Sequence, residues 1–199
     1  MMRVKTGIRV KTTESWPGTR APASAWVSRL LPPALVLAAV VVTAGITAGL
    51  GPVGVTVLLA GIVGVPGLVY KGTKPLFRRR GLPDSLRVSI VAVLMLVGVV
   101  VSYLLPLAPP VPETVAAFLI GNVGLVFFRR WLDVSAHVSV LTFAVLWVAE
   151  LFGGAWAWLL VLPPLMMLSR VTLRQHTWWE AVSGAALGLV TFCCFLGLT

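Results

Sequence analysis

Seven apolar runs, each close to the length of a membrane-crossing helix, follow one another along this chain: about 30–50, 52–70, 86–105, 112–128, 136–152, 155–169 and 181–198. A helix that crosses the hydrocarbon core of a bilayer needs roughly 20 mainly apolar residues. The pattern predicts an all-α fold, a polytopic transmembrane helical bundle of about seven spans. The breaks carry turn formers or charge: Gly51-Pro52, Lys71 to Pro83, Pro106 to Pro112, Arg129 to Asp133, Gly153-Gly154 and Ser169 to Glu180. The fourth run is among the shorter ones and is interrupted by Asn122. Composition agrees, with 58% hydrophobic and 11% charged residues, where soluble domains carry about 25% charge.

Residues 1–29 fail the apolar test and read as a basic, flexible tail near the bilayer surface, with Arg3-Val4-Lys5-Thr6 duplicated as Arg9-Val10-Lys11-Thr12. Such a tail either anchors to anionic lipid or is a leader without consequence. The first apolar run reads as a retained anchor rather than a cleaved signal. The formal charge of +10 would suit nucleic acid only on a soluble basic face. Here the basic residues lie between apolar runs, so the expected polyanions are lipid headgroups and phosphate esters, not nucleic acid. Cys193 and Cys194 are adjacent within an apolar run and read as packing residues.

Threading the seven runs back and forth puts every Lys and Arg on one side: the tail, Lys71, Lys74, Arg78, Arg79, Arg80, Arg87, Arg129, Arg130, Arg170 and Arg174. The opposite loops carry only Glu113 and Glu150. Basic residues in short loops mark the cytoplasmic face. The expectation is an integral protein of the cell membrane with a cytoplasmic N-terminus and an outward C-terminus. Both histidines, His137 and His176, fall on the basic side. Gly184 and Gly188 offer a small face for close helix packing.

The segment from Ser169 reads SRVTLRQHTWWE: Ser169-Arg170, five residues, His176, three residues, Glu180. His176 and Glu180 are four positions apart, so a helix beginning near His176 would place them on one face. A carboxylate there can hold one imidazole nitrogen and leave the other free to attack. The Arg170 guanidinium has the forked geometry that suits phosphate oxygens. The other histidine stands in Val134-Ser135-Ala136-His137, at the head of the fifth run.

These segments resemble the signatures of the type 2 phosphatidic acid phosphatase superfamily. The third signature, S-R-x5-H-x3-D, is matched with Glu180 in place of Asp. The second, P-S-G-H, is matched at Ser135 and His137, with Val134 and Ala136 replacing Pro and Gly. The first, K-x6-R-P, has its spacing at Lys71 and Arg78, with Arg79 where the family has Pro; Arg129 is a positional substitute. The similarity covers roughly residues 130–199 and makes 30–199 an integral membrane phosphatase-like domain.

The resemblance implies metal-independent dephosphorylation of a lipid-linked phosphate or diphosphate, isoprenoid or phospholipid, through a phosphohistidine intermediate and without a cofactor. His176 would be the nucleophile, Glu180 its support and His137 the acid, with Arg170, Ser135, Lys71, Arg78 and Arg129 holding phosphate. Two alternatives stay open. An isoprenoid diphosphate lyase or cyclase would release diphosphate, although no Asp-rich motif that would hold magnesium is present. A catalytically degenerate chain would bind a lipid phosphate without turnover. Each histidine taken singly also fits an interfacial residue reaching for headgroups. Trp178 and Trp179 fit an interfacial belt or a substrate contact.

Overall fold

The computed structural model describes residues 31–82, 84–128 and 131–199, and of Asp84, Ser85 and Arg87 the backbone alone. The tail 1–29, Arg129 and Arg130 lie outside the described residues. Among those described, the fold is all-helical, without strands. Seven helical segments follow one another: α1 (Pro33–Thr47), α2 (Pro52–Arg79), α3 (Asp84–Leu104), α4 (Val111–Phe128), α5 (Ala136–Phe152), α6 (Gly154–Thr172) and α7 (Trp178–Leu196). They coincide with the seven apolar runs. Four of them, α2, α4, α6 and α7, are long and apolar enough to cross a membrane; α1, α5 and the Val88–Leu104 part of α3 are shorter and also apolar.

One boundary differs from expectation, for a local reason. The basic stretch from Lys71 does not break the second helix, which continues to Arg79 with a single turn residue at Thr73. Lysine and arginine are good helix formers, and the stop comes only at Arg80-Gly81, where Gly81 has φ +63°. The last helix begins at Trp178, close to His176 as expected. Thr177 is its N-cap in a capping box with Glu180: the Thr177 hydroxyl accepts the Glu180 N–H at 3.3 Å, and Glu180 Oε2 accepts the Thr177 N–H at 2.7 Å. That reciprocal pair satisfies two backbone donors and fixes where the helix starts.

Two helices change their winding. In α2 the stretch Ala60–Gly64 is π-helical and is followed by Pro66. A proline ring clashes with the carbonyl four residues earlier, and a wider turn gives it room. In α6 the first half, Gly154–Val161, is a 3-10 helix, and the α-helical half opens with Pro163 and Pro164 in its first turn, where missing N–H groups cost nothing.

The core lies between α1, α4, α5 and α7, with Trp147, Val138, Ala181 and Phe195 fully enclosed. Trp147 Nε1 donates to Thr114 Oγ1 at 2.9 Å, joining α5 to the start of α4. By contrast α2 is peripheral, with 6% of its apolar window buried. Large apolar side chains such as Val53, Leu68 and Leu104 are more than 70% exposed. Apolar faces of this extent are not left to water, and here they belong to helices that can span a bilayer. The chain is an integral membrane protein. Exposed tryptophans stand near both ends of the bundle, Trp156 and Trp158 at one, Trp131, Trp178 and Trp179 at the other, as aromatic belts do.

Candidate functional site

The α5–α7 contact sets the frame of the site. A Cβ on Gly184 would stand 2.7 Å from the Ser135 carbonyl oxygen, and one on Gly188 2.4 Å from that of Ser139. The backbones therefore touch, as glycine permits. This approach lets the Ser135 N–H donate to the Glu180 carbonyl oxygen at 3.2 Å. The segment holding His137 and the turn holding His176 are thus locked together.

The loop between α6 and α7 is fixed just as closely. Arg174 adopts φ +52°, its N–H donates to the Val171 carbonyl at 2.9 Å, and the Gln175 N–H donates to the Arg170 carbonyl at 3.0 Å. These are the two bonds of a Schellman motif, with Arg174 at its left-handed position. The His176 N–H also reaches the Arg170 carbonyl, at 3.4 Å. The five-residue spacer between Arg170 and His176 therefore folds both back to one place.

What they surround is a cavity of about 580 Å³, lined at its polar end by His137, Arg170, His176, Asp133 and Lys71. Ala34, Val126, Ala136 and Arg170, near the ends of four helices, meet there, which is what alternating helix direction produces. The remaining wall comes from α1, α2, α3 and α4 and is chiefly aliphatic, with Tyr70 its one aromatic residue. The α2 contribution includes Ile62 and Val63 of the π-helical segment.

Arg170 is 7% exposed. Its guanidinium Nη1 donates to the neutral Gln175 amide oxygen, and its Nε, which is buried, has no partner among the described residues. No described carboxylate pairs with it. A buried cation left this way is costly, and an anion in the cavity would offset the cost.

His176 Nδ1 lies 3.3 Å from Glu180 Oε2. That is an ion-pair distance rather than an aligned hydrogen bond: Nδ1 has no hydrogen-bond partner, and the same oxygen already takes the Thr177 N–H. Glu180 therefore has two tasks, starting α7 and standing behind the imidazole. The other ring nitrogen, Nε2, is the one not turned toward Glu180.

Not every residue expected at the site reaches it. Arg78, near the end of α2, is exposed and does not line the cavity; seven residues beyond Lys71, it is about 10 Å further along the helix axis. Ser135 is fully buried and does not line the cavity. It is the N-cap of α5, yet its side chain makes no capping bond and its Oγ has no partner among the described residues. Trp178 and Trp179 are exposed and away from the cavity wall. Asn122, Asp133 and Gln175 join the site without having been singled out for it. Gln175 lay hidden in the spacer of the third motif, while Asn122 carried a signal, being a lone amide in an apolar run. Among the described residues no group of three His, Cys, Asp or Glu side chains could hold a metal ion.

Fold and site together define a polytopic helical membrane protein with a histidine- and arginine-lined cavity at one end of the bundle. Comparison with protein-family models, curated proteins and solved structures yields no match.

Proposed function

We propose that the chain is a lipid phosphate phosphatase of the type 2 phosphatidic acid phosphatase kind, working through a phosphohistidine without metal. The observation that carries the reading is the convergence of His137, Arg170, His176 and Lys71, from four separate elements, on one cavity whose other walls are aliphatic. The polar end suits a phosphate and the aliphatic walls suit the chain attached to it.

In this reading His176 Nε2 attacks phosphorus in line with the lipid oxygen. The N–P bond forms as the P–O bond to the lipid breaks, and Glu180 faces the positive charge that develops on the imidazole. Arg170 and Lys71 bind the equatorial oxygens, where charge gathers in the transition state. His137 gives its proton to the departing alkoxide. Water then attacks the phosphohistidine, His137 takes its proton, and inorganic phosphate leaves with His176 regenerated. The cavity is at the basic end of the bundle, so the positive-inside rule makes the site cytoplasmic.

The cavity wall favours this over carbocation chemistry, since Tyr70 is the only aromatic group there to steady a cation. The Ser135 hydroxyl, enclosed and without a partner among the described residues, favours a binder without turnover, as do Val134, Ala136 and the broken first motif. Phosphate release from detergent-purified full-length chain tests the proposal. Inorganic phosphate that is lost in His176→Ala supports it. Diphosphate with a hydrocarbon product means a synthase, and binding without either product means a binder.

A further inference from the structure

The polar end of the cavity is accounted for by phosphate chemistry, but one polar residue on its wall is not. Asn122 lies six residues before the end of α4, about 9 Å along the helix from Phe128, in a stretch that is otherwise apolar. Asn122, Leu125 and Val126 line the cavity, the i, i+3, i+4 face of one helix. The adjacent Gly121 lies instead against Thr191 of α7. Asn122 is half-buried, and no described residue hydrogen-bonds its amide. The wall around the same cavity from α2 and α3 is aliphatic, including Ile62, Val91 and Met95. An amide carries two donors and an acceptor, and leaving them without partners at membrane depth is expensive. The amide opens on the cavity, so what fills the cavity, lipid or water, is what can pair with it.

We propose that Asn122 is a specificity-determining residue that hydrogen-bonds the backbone of the lipid just inside its phosphate. The inference rests on the lipid phosphate reading and narrows it. The favoured substrates carry an ester carbonyl or a hydroxyl a few atoms from the phosphate, as glycerolipid and sphingoid phosphates do. A polyprenyl phosphate offers only hydrocarbon there and leaves the amide unpaired. Sites built to hydrogen-bond a substrate group discriminate strongly against analogues that lack it.

The test compares a diacylglycerol phosphate with farnesyl phosphate on the purified full-length chain, as wild type, Asn122→Leu and Asn122→Ser. The wild type is expected to have the higher kcat/KM on the diacylglycerol phosphate. Asn122→Leu should lower that value about three- to tenfold, the effect of one lost hydrogen bond, and leave farnesyl phosphate unchanged or improved. Asn122→Ser, which keeps a donor and an acceptor, should recover part of the loss. Equal effects on both lipids, or none on either, would overturn the proposal. Binding of the hydrolysis-resistant phosphonate analogues of both lipids, followed by isothermal titration calorimetry, separates this claim from the phosphatase reading. Preference for the diacyl phosphonate that Asn122→Leu abolishes, without phosphate release from any lipid, keeps the subsite and removes the phosphatase. Phosphate release with no Asn122-dependent preference does the reverse, and binding of neither analogue removes the subsite.

Discussion

The Ser135 N–H donates to the Glu180 carbonyl oxygen at 3.2 Å, and that bond ties the head of α5 to the first turn of α7. His137 follows Ser135 by two residues and His176 precedes Glu180 by four. Their relative position thus depends on a backbone contact that neither side chain makes.

That dependence is testable at the glycines beneath it. Gly188→Ala would put a methyl 2.4 Å from the Ser139 carbonyl oxygen and 2.8 Å from Thr142 Cβ, so α5 and α7 must separate. Overpacking of this kind costs about 1–3 kcal/mol. Thermal unfolding in detergent should show a lower midpoint for Gly188→Ala and for Gly184→Ala, with Thr56→Ala on peripheral α2 as the unaffected control. Unchanged midpoints in both glycine variants would mean that the helices are not in backbone contact.

Arg174 gives a prediction of opposite sign. Its φ of +52° is a conformation that glycine adopts without a Cβ penalty and that costs other residues about 1–2 kcal/mol. Arg174→Gly should therefore leave the unfolding midpoint unchanged or raise it, whereas the β-branched Arg174→Val should lower it. A midpoint that falls in Arg174→Gly as far as in Arg174→Val would contradict the assigned loop geometry.

Glu180 can be dissected because its two tasks need different chemistry. Glutamine preserves a capping box but removes the charge facing His176. Glu180→Gln should keep the unfolding midpoint close to wild type while lowering turnover. Glu180→Ala should lower both, the stability by about 1 kcal/mol as lost caps do. Equal stability losses in the two variants would show that the carboxylate charge, not the cap, holds the start of α7.

The seven helices were legible because lipid exposure demands long apolar runs whatever the tertiary detail. The gathering of Lys71, His137, Arg170 and His176 was legible too, because alternation of helix direction carries all basic ends to one side. Arg78 was not, since motif spacing alone cannot say that α2 continues as a helix through Lys74 and carries Arg78 away from the cavity. The start of α7 near His176 was legible as well, and the capping box of Thr177 with Glu180 sets it at Trp178. Arg174 in the left-handed region has no sequence signal, because glycine or asparagine is the usual mark of that position. Asn122 read only as an interruption of the fourth run; the packing of α4, which turns Gly121 to α7 and Asn122 to the cavity, has no signal in the spacing.

The basic end of the bundle predicts a cytoplasmic cavity, and the orientation can be tested. Single cysteines replacing Lys74, Arg174 or Pro109, on a background with Cys193 and Cys194 changed to serine, can be probed with an impermeant thiol reagent in intact cells. Position 109 should label, and positions 74 and 174 only after permeabilisation. The reverse pattern would place the cavity on the outer face.

The most direct test of the account is the division of labour between the two histidines, read as turnover on a lipid phosphate and on p-nitrophenyl phosphate. His176→Ala should abolish turnover of both, with no phosphorylated protein trapped, because the attacking nitrogen is gone. His137→Ala should lose far more on the lipid, whose alkoxide needs a proton, than on the p-nitrophenyl ester, whose oxygen leaves without one. General acid catalysis contributes about 10²–10⁴-fold, so the two losses should differ by a factor in that range. Undiminished turnover in His176→Ala, or equal losses on the two substrates in His137→Ala, would contradict it.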